Sequence, residues 1–356
     1  MGDVPTGAPE QATPRLREVL VKLGLSVLVA LLFLWLLRAG ALPVWPGSEQ
    51  LAGIGKGHLL VAALLWVVMH GVRAWRWQLL VSSVADLPRI RVFGVALVGF
   101  TAGLILPLRT GEAVRPVLLG REGASPWAAA GTVAAERVLD GAFISSVLLV
   151  AINLAPPREP LPTHLGHLQV NVALVPQGAS VAAALFVSAF LVLLAFYRFR
   201  AFSQALCLRV LSPLSPKLAQ GVTRRLVELT SGLGFLSRAR VNVPFALLTV
   251  VYWGLNVLGL FILSRGAGFH SLSMLGAAAA LGVMAVGITL PSAPGLFGSY
   301  QLSLYAGLLL YLSVDDVQGV GAAMVFLMNV VQVGVHLVGG VVGWALLGVK
   351  GRATPA

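Results

Sequence analysis

Charge is what this chain has least of. Only 11% of its 356 residues are Asp, Glu, Lys or Arg, against roughly 25% in soluble globular chains. Apolar residues make up 58%, and mean hydropathy is +0.90. Such a composition excludes a cytosolic enzyme, a disulfide-rich secreted domain and a disordered tail protein. Cysteine is nearly absent too. The single Cys207 removes disulfides, CxxC redox motifs and thiolate zinc sites together. Acids are scarcer than bases, 13 against 25.

What is present in quantity is long apolar runs. Leu23–Leu37, Ala179–Tyr197 and Leu272–Leu290 are close to the ~20 residues a helix needs to cross a bilayer. The chain therefore reads as an all-α, polytopic membrane protein. The formal net charge of +12 raises the question of nucleic acid, but the bases are placed otherwise. Eight of them fall within Arg198–Arg240 against one acid, Glu228. Basic residues beside apolar spans mark cytoplasmic loops, and they also suit anionic headgroups. No nucleic-acid partner is expected.

Residues 1–14 are polar and rich in Pro, Gly and Ala, and read as a disordered cytoplasmic tail. Arg15, Arg17 and Lys22 precede the first Leu-rich run, which ends at Arg38 before Ala39-Gly40-Ala41. A signal peptide has that pattern as well, but the many later spans favour an uncleaved first helix. Further spans are expected at His58–Val81, Val92–Leu108, Val138–Ala155, Ala179–Tyr197, Val243–Leu263, Leu272–Leu290, Leu296–Leu312 and Val317–Leu347. This gives about eight transmembrane helices plus broken or re-entrant segments, with a separate, less hydrophobic helix at Pro126–Arg137. With the N-terminus inside, Ser82–Arg91 and Arg198–Arg240 fall inside, while Pro156–Pro176 and Arg265–Ser271 fall outside. Residues 15–349 form one transmembrane domain, 198–240 its basic cytoplasmic loop and 350–356 a cytoplasmic tail.

An internal echo runs through the chain. Gly103, Leu106, Pro107 and Gly111 recur as Gly287, Leu290, Pro291 and Gly295 at one constant offset. The first run starts from inside and the second from outside, so the copies would be inverted. Paired Gly/Pro-interrupted segments in two halves point to a transporter's central site. The reason is that Pro frees backbone groups, which a membrane tolerates only inside protein or beside water. On this reading Pro107, Gly111, Pro291, Pro294 and Gly295 are helix-break or gating positions. Chance repetition of common residues is the competing explanation.

Ionisable residues within spans are costly and mark function. Arg109, Glu112 and Arg115 stand three apart, a neighbouring row if helical. Two guanidiniums around one carboxylate leave a positive surplus suited to phosphate. Glu136, Arg137 and Asp140 sit at the entry to the run that ends near Ala155. Glu136 and Asp140, at i and i+4, repel unless a cation stands between them; Arg109 or Arg115 would be that cation. The same residues would also serve as a purely structural salt-bridge network. Nothing marks a nucleophile, a metal-ligand set or a cofactor, and His164 and His167 in the external loop need no metal.

His70, Arg73 and Arg76, interleaved with Trp75 and Trp77, read either as an interfacial anchor or as a contact for a lipid headgroup. Asn329, Gln332 and His336 make a polar stripe on an apolar helix. Interhelical hydrogen bonds explain such a stripe; lining of a substrate path is the alternative.

Three ordered motifs carry a family resemblance. Leu106-Pro107-Leu108-Arg109-Thr110-Gly111-Glu112-Ala113-Val114-Arg115, followed by Glu136-Arg137 and Asp140, resembles the lysylphosphatidylglycerol synthase transmembrane-region family, a flippase-like membrane domain. Leu290-Pro291-Ser292-Ala293-Pro294-Gly295-Leu296-Phe297-Gly298 is similar to its second Pro/Gly motif, and Arg73-Ala74-Trp75-Arg76-Trp77 to its basic-aromatic segment. The second motif departs from the glycine-rich family form at Ala293 and Leu296. The resemblance implies a polytopic domain in a bacterial cytoplasmic (inner) membrane that flips a phospholipid or lipid-linked substrate, with both termini cytoplasmic. Fused family members carry a soluble aminoacyl-transferase domain; here it is expected to be absent, and no synthase reaction follows.

Three functions compete at this point. A translocase needs a polar cavity lined by the Arg/Glu/Asp cluster and open towards lipid. A membrane glycosyl- or acyl-transferase using a lipid carrier needs acids at a water-facing mouth, and Asp315-Asp316 is the one acidic pair. A non-catalytic partner of a separate lipid synthase would dock through Arg198–Arg240. The first is expected, with a membrane lipid as partner; a lipid-synthase partner and an oligomer are compatible with it.

Overall fold

The computed structural model describes residues 16–43, 45–165, 167–169, 171–213, 215–289 and 294–348. The tails at 1–14 and 350–356 lie outside them. Helices follow one another along the chain: α1 (Leu16–Ala39), α2 (Ser48–Ala52), α3 (Lys56–Val81), α4 (Arg89–Ile105), α5 (Val114–Arg121), α6 (Pro126–Leu154) and α7 (Val175–Arg198). The second half continues with α8 (Arg200–Leu211), α9 (Pro216–Ser231), α10 (Ala239–Gly266), α11 (Met274–Gly287), α12 (Ser299–Leu308), α13 (Val314–Gln318) and α14 (Val320–Gly348). Among the described residues the strands are confined to a two-residue hairpin, His164–Leu165 with Leu168–Gln169. This is an all-α, polytopic membrane protein.

Five helices, α3, α6, α7, α10 and α14, are long and apolar enough to cross a bilayer. Each exposes apolar side chains outward: Leu64 and Val68 on α3, Leu185 and Val192 on α7, Val338 and Val341 on α14. In water that surface would be a liability; against acyl chains it is the expected finish. Helix α6 corrects one sequence expectation. No break separates Pro126–Arg137 from the following span; a single helix runs from Pro126 to Leu154. The charges at Glu136, Arg137 and Asp140 lower local hydropathy but find partners inside the bundle, so the helix passes through them.

Two apolar helices, α4 and α11, are shorter than these spans. Helix α4 (17 residues) ends at Ile105, and the chain turns through a 3₁₀ segment, Pro107–Ala113, into α5. A Cβ at Gly99 would meet the Arg115 side chain, and one at Gly111 the Ala102 backbone, so α5 returns antiparallel along α4. Helices α11 and α12 repeat the arrangement: Gly287 abuts Ser303 and Gly307 abuts Ala280. Each pair is a re-entrant hairpin. Pro at the first tip ends the helix by withholding an amide. At the second, Gly295 adopts φ +74°, a left-handed conformation glycine reaches without penalty.

The halves are related by an approximate two-fold. The offset that carries Gly103 onto Gly287 carries α3 onto α10 within a residue at each end, and α4 onto α11 within two. Packing follows the same correspondence. Helix α4 lies on α14 as α11 lies on α6, α5 touches α6 as α12 touches α14, and α3 pairs with α10 itself. That last pair is antiparallel: Gly266 meets His58, Gly259 meets Trp66 and Thr249 meets Arg76. A two-fold that exchanges antiparallel helices must lie perpendicular to them. The repeat is inverted, and its two hairpins enter from opposite faces.

Candidate functional site

The hairpins meet. Helix α4 packs against the turn Pro294–Leu296, and residues from both tips, Gly103 and Glu112 from one, Thr289 and Leu296 from the other, line a cavity of about 370 Å³. Its walls come from α3, α6, α7, α10, α11 and α14 as well. Most of the lining is apolar, Phe100, Ile144, Phe186 and Met284 among it; the charged side chains on the wall come from the first repeat, while Asn256, Tyr300, Gln332 and His336 are contributed by the second.

Behind that wall lies a buried ion network. Glu136 (0% exposed) is shared between two guanidiniums, accepting from Arg76 Nη2 at 3.2 Å and from Arg115 Nη1 at 2.5 Å. Arg76 (0% exposed) also grips Asp140 with both prongs, Nη1 to Oδ1 at 2.5 Å and Nη2 to Oδ2 at 2.7 Å, and donates to Thr249 Oγ1 on α10 at 3.1 Å. Aromatic faces complete the surroundings. Tyr252 and Phe245 flank Arg76, with ring centres 4.7 and 5.2 Å from its guanidinium carbon, while Trp77 and Phe100 flank Arg115 at 5.0 and 4.8 Å. Buried arginines survive in this way, with charge met by carboxylates and planar faces met by rings.

Nearer the cavity, Arg137 Nε stands 3.3 Å from Glu112 Oε1, both side chains about one-third exposed. This pair clips the first hairpin tip to α6. Arg73 lies over the Phe100 ring at 4.0 Å and has no carboxylate partner among the described residues. Several lining side chains carry buried donors that bond nothing among the described residues: Arg73 Nε, Arg115 Nη2, Trp253 Nε1, Gln332 Nε2 and the Tyr300 hydroxyl. Leaving such a donor unmet costs about 1–3 kcal/mol, and native interiors leave few. The five just named belong to side chains that border one cavity, while Trp66, His70 and Thr223 carry others away from it.

The structure redistributes the residues expected from sequence. Arg73, Glu112, Arg115, Arg137, Asp140, Gln332 and His336 do line the cavity; Asn329 does not. Arg76 and Glu136 stand behind the lining and position it. The interfacial-anchor reading fails for Arg76 and Trp77. Both are fully buried, Trp77 donating to Thr132 at 3.2 Å, and of that segment only Trp75, 59% exposed, faces outward. Nor do Glu112 and Arg115 share one helical row, since the 3₁₀ turn sends Glu112 to Arg137 and Arg115 to Glu136. Among the described residues the cation bridging Glu136 and Asp140 is Arg76, while Arg115 reaches Glu136 alone. Arg137, in turn, pairs with Glu112 rather than with its own helix. The backbone of Pro107 and Arg109 lies in the first turn, Gly111 rests against α4, and Pro294 and Gly295 form the second turn. The side chains of Pro107, Arg109 and Pro294, and all of Pro291, lie outside the described residues. Tyr252, Trp253 and Tyr300 had no sequence signal, being aromatics within apolar runs.

A family model described as the lysylphosphatidylglycerol synthase TM region matches residues 19–339. The chain belongs to the lysylphosphatidylglycerol synthase TM region family. The match takes in both hairpins, the cavity and every member of the ion network. No curated protein and no solved structure matches the chain.

Proposed function

We propose that this member of the family translocates a phospholipid or lipid-linked substrate, with its phosphate held at Arg73, Arg115 and Arg137. The observation that carries the reading is the pair of unmet buried guanidinium nitrogens, Arg73 Nε and Arg115 Nη2, on side chains that line the cavity. Arginine offers planar, fork-shaped donors to phosphate, and four arginines against three carboxylates (Arg73, Arg76, Arg115 and Arg137 with Glu112, Glu136 and Asp140) leave a positive surplus. The apolar remainder of the wall suits acyl chains. Two inverted hairpins meeting at the site suit exchange between two faces. By the positive-inside rule, the face bearing α8 and α9, with Arg209, Lys217, Arg224 and Arg225, is cytoplasmic, and both termini lie there in a bacterial inner membrane. The protein acts as a transporter without a cofactor, alone or beside a separate lipid synthase. The acidic pair that a transferase would need supports this reading by its position, because the Asp316 carboxylate accepts from the hydroxyl of Ser313, the N-cap of α13, and Asp316 is absent from the cavity wall.

The test is headgroup-labelled phospholipid movement in reconstituted vesicles of phosphatidylglycerol and phosphatidylethanolamine. Arg73→Lys and Arg115→Lys should each slow transport about ten- to a hundredfold, the weight of one charge-assisted hydrogen bond. Wild-type rates in both folded variants would overturn the proposal.

A further inference from the structure

Beyond the phosphate, the geometry points to a second, uncharged subsite in the same cavity: Trp253, Tyr300 and Gln332 form a recognition patch for a hydroxyl-bearing headgroup, such as glycerol or a sugar. The inference rests on the phosphate reading above and names the class of head that the phosphate carries.

Three observations support it. First, the unmet donors fall into two chemical groups. One is cationic, Arg73 Nε and Arg115 Nη2, from α3 and α5. The other is neutral, Trp253 Nε1 from α10, the Tyr300 hydroxyl from α12 and Gln332 Nε2 from α14. Three helices of the second repeat thus bring neutral donors to the cavity whose first-repeat wall carries the charge. Second, Asn256 is buried on the same wall and gives its amide nitrogen to the Tyr252 carbonyl at 3.0 Å. As assigned, its amide oxygen remains the accepting end, so the patch offers donors together with an acceptor. Hydroxyls donate and accept at once, and a polyol satisfies both. Third, Tyr252 and Trp253 meet edge to face with ring centres 4.9 Å apart, and both line the cavity. Aromatic walls with a few placed polar groups are the usual make-up of a site for a small organic head.

An ammonium head fits poorly. It can only donate, and the two carboxylates on the wall are engaged, Asp140 through both oxygens by Arg76 and Glu112 by Arg137. The surplus cation next to them adds repulsion. A headgroup with one or more free amines, lysylphosphatidylglycerol included, should therefore bind more weakly than the neutral polyol.

The experiment is a binding titration of the purified full chain in detergent with short-chain phosphatidylglycerol, phosphatidic acid, phosphatidylethanolamine and lysylphosphatidylglycerol. Wild type should prefer phosphatidylglycerol to phosphatidic acid by about tenfold or more, and to both amine-bearing lipids by at least as much, given two or more added neutral hydrogen bonds. Trp253→Phe, Tyr300→Phe and Gln332→Met keep shape and remove one polar group each. Each should lower phosphatidylglycerol affinity about fivefold and leave phosphatidic acid unchanged, whereas Arg115→Lys should weaken both. Equal affinity of wild type for phosphatidylglycerol and phosphatidic acid, or tighter binding of an amine-bearing lipid, overturns the subsite while the Arg115 effect stands. Indifference of all four lipids to Arg115→Lys and Arg73→Lys overturns the phosphate reading instead. Unchanged phosphatidylglycerol affinity in the three conservative variants overturns the assignment of these residues.

Discussion

Arg76 and Asp140 are joined in the middle of the bundle by a two-pronged pair, at 2.5 and 2.7 Å, that ties α3 to α6. Both are withdrawn from water, so removing one partner strands the other. A broken buried pair costs about 3–5 kcal/mol. Arg76→Met, which strands Asp140 and half of Glu136, should lower the melting temperature in detergent well below that of Arg224→Ala. Arg224 is exposed and its pair with Glu228 is solvated, worth roughly 0–1 kcal/mol. The double variant Arg76→Met with Asp140→Leu should recover part of the loss. Equal melting temperatures for Arg76→Met and Arg224→Ala would show that the network is not buried.

How that pair escapes a reading of sequence is instructive. Arg-Trp spacing near the end of a span looks the same whether the helix face turns to headgroups or to a neighbouring helix. The choice for Arg76 depends on α6, whose carboxylates stand at Glu136 and Asp140, far along the chain. Glu112 is similar. Its spacing from Arg115 suggests a helical row, but Pro107 begins a turn and not a helix, and the hairpin fold then chooses Arg137 as partner. What sequence does convey is the skeleton. Apolar runs mark α3, α7, α10 and α14 within a few residues, and the repeated Leu-Pro and Gly positions mark both hairpin tips. The neutral donors Trp253, Tyr300 and Gln332 have no such signature, since their meaning comes only from convergence of three helices.

The two-fold correspondence makes its own prediction. In a Cys207→Ser background, Leu97→Cys with Gly343→Cys should cross-link α4 to α14, and Leu148→Cys with Gly282→Cys should cross-link α6 to α11. A Cβ at Gly343 would stand 2.8 Å from that of Leu97, and one at Gly282 would stand 2.7 Å from that of Leu148. Disulfide Cβ atoms prefer ~3.8 Å, so a small outward shift suffices. Mild oxidation should form both bonds, read as a gel shift reversed by reductant. One cross-link without the other would break the correspondence.

Gly99 is the point where α4 makes room for Arg115. A methyl there would collide with the Arg115 side chain, displacing its guanidinium from Glu136. Alanine is the better helix former by up to ~1 kcal/mol, so propensity alone forecasts a stabilised protein. Overpacking costs about 1–3 kcal/mol and acts on a side chain that already holds a buried carboxylate. Gly99→Ala should therefore lower both thermal stability and phosphate-lipid affinity. A rise in melting temperature with unchanged binding would mean that Arg115 has slack to move.

Glu112 and Glu136 separate structure from transport. Glu136 is buried between two guanidiniums, and Glu136→Gln should destabilise by several kcal/mol, within the range for a broken buried pair. The Glu112–Arg137 pair is about one-third exposed on each side, so solvent screens it and its loss should cost no more than ~1 kcal/mol of stability. Yet it is the clip between the first hairpin tip and α6, and it borders the cavity. If substrate passage requires that tip to hold its place, Glu112→Gln should fold like wild type and move lipid several-fold more slowly. Melting curves and vesicle transport, measured on the same preparations, check both halves. A Glu112→Gln protein that transports at the wild-type rate would leave the clip as packing alone, and one that melts as early as Glu136→Gln would place Glu112 inside the buried network.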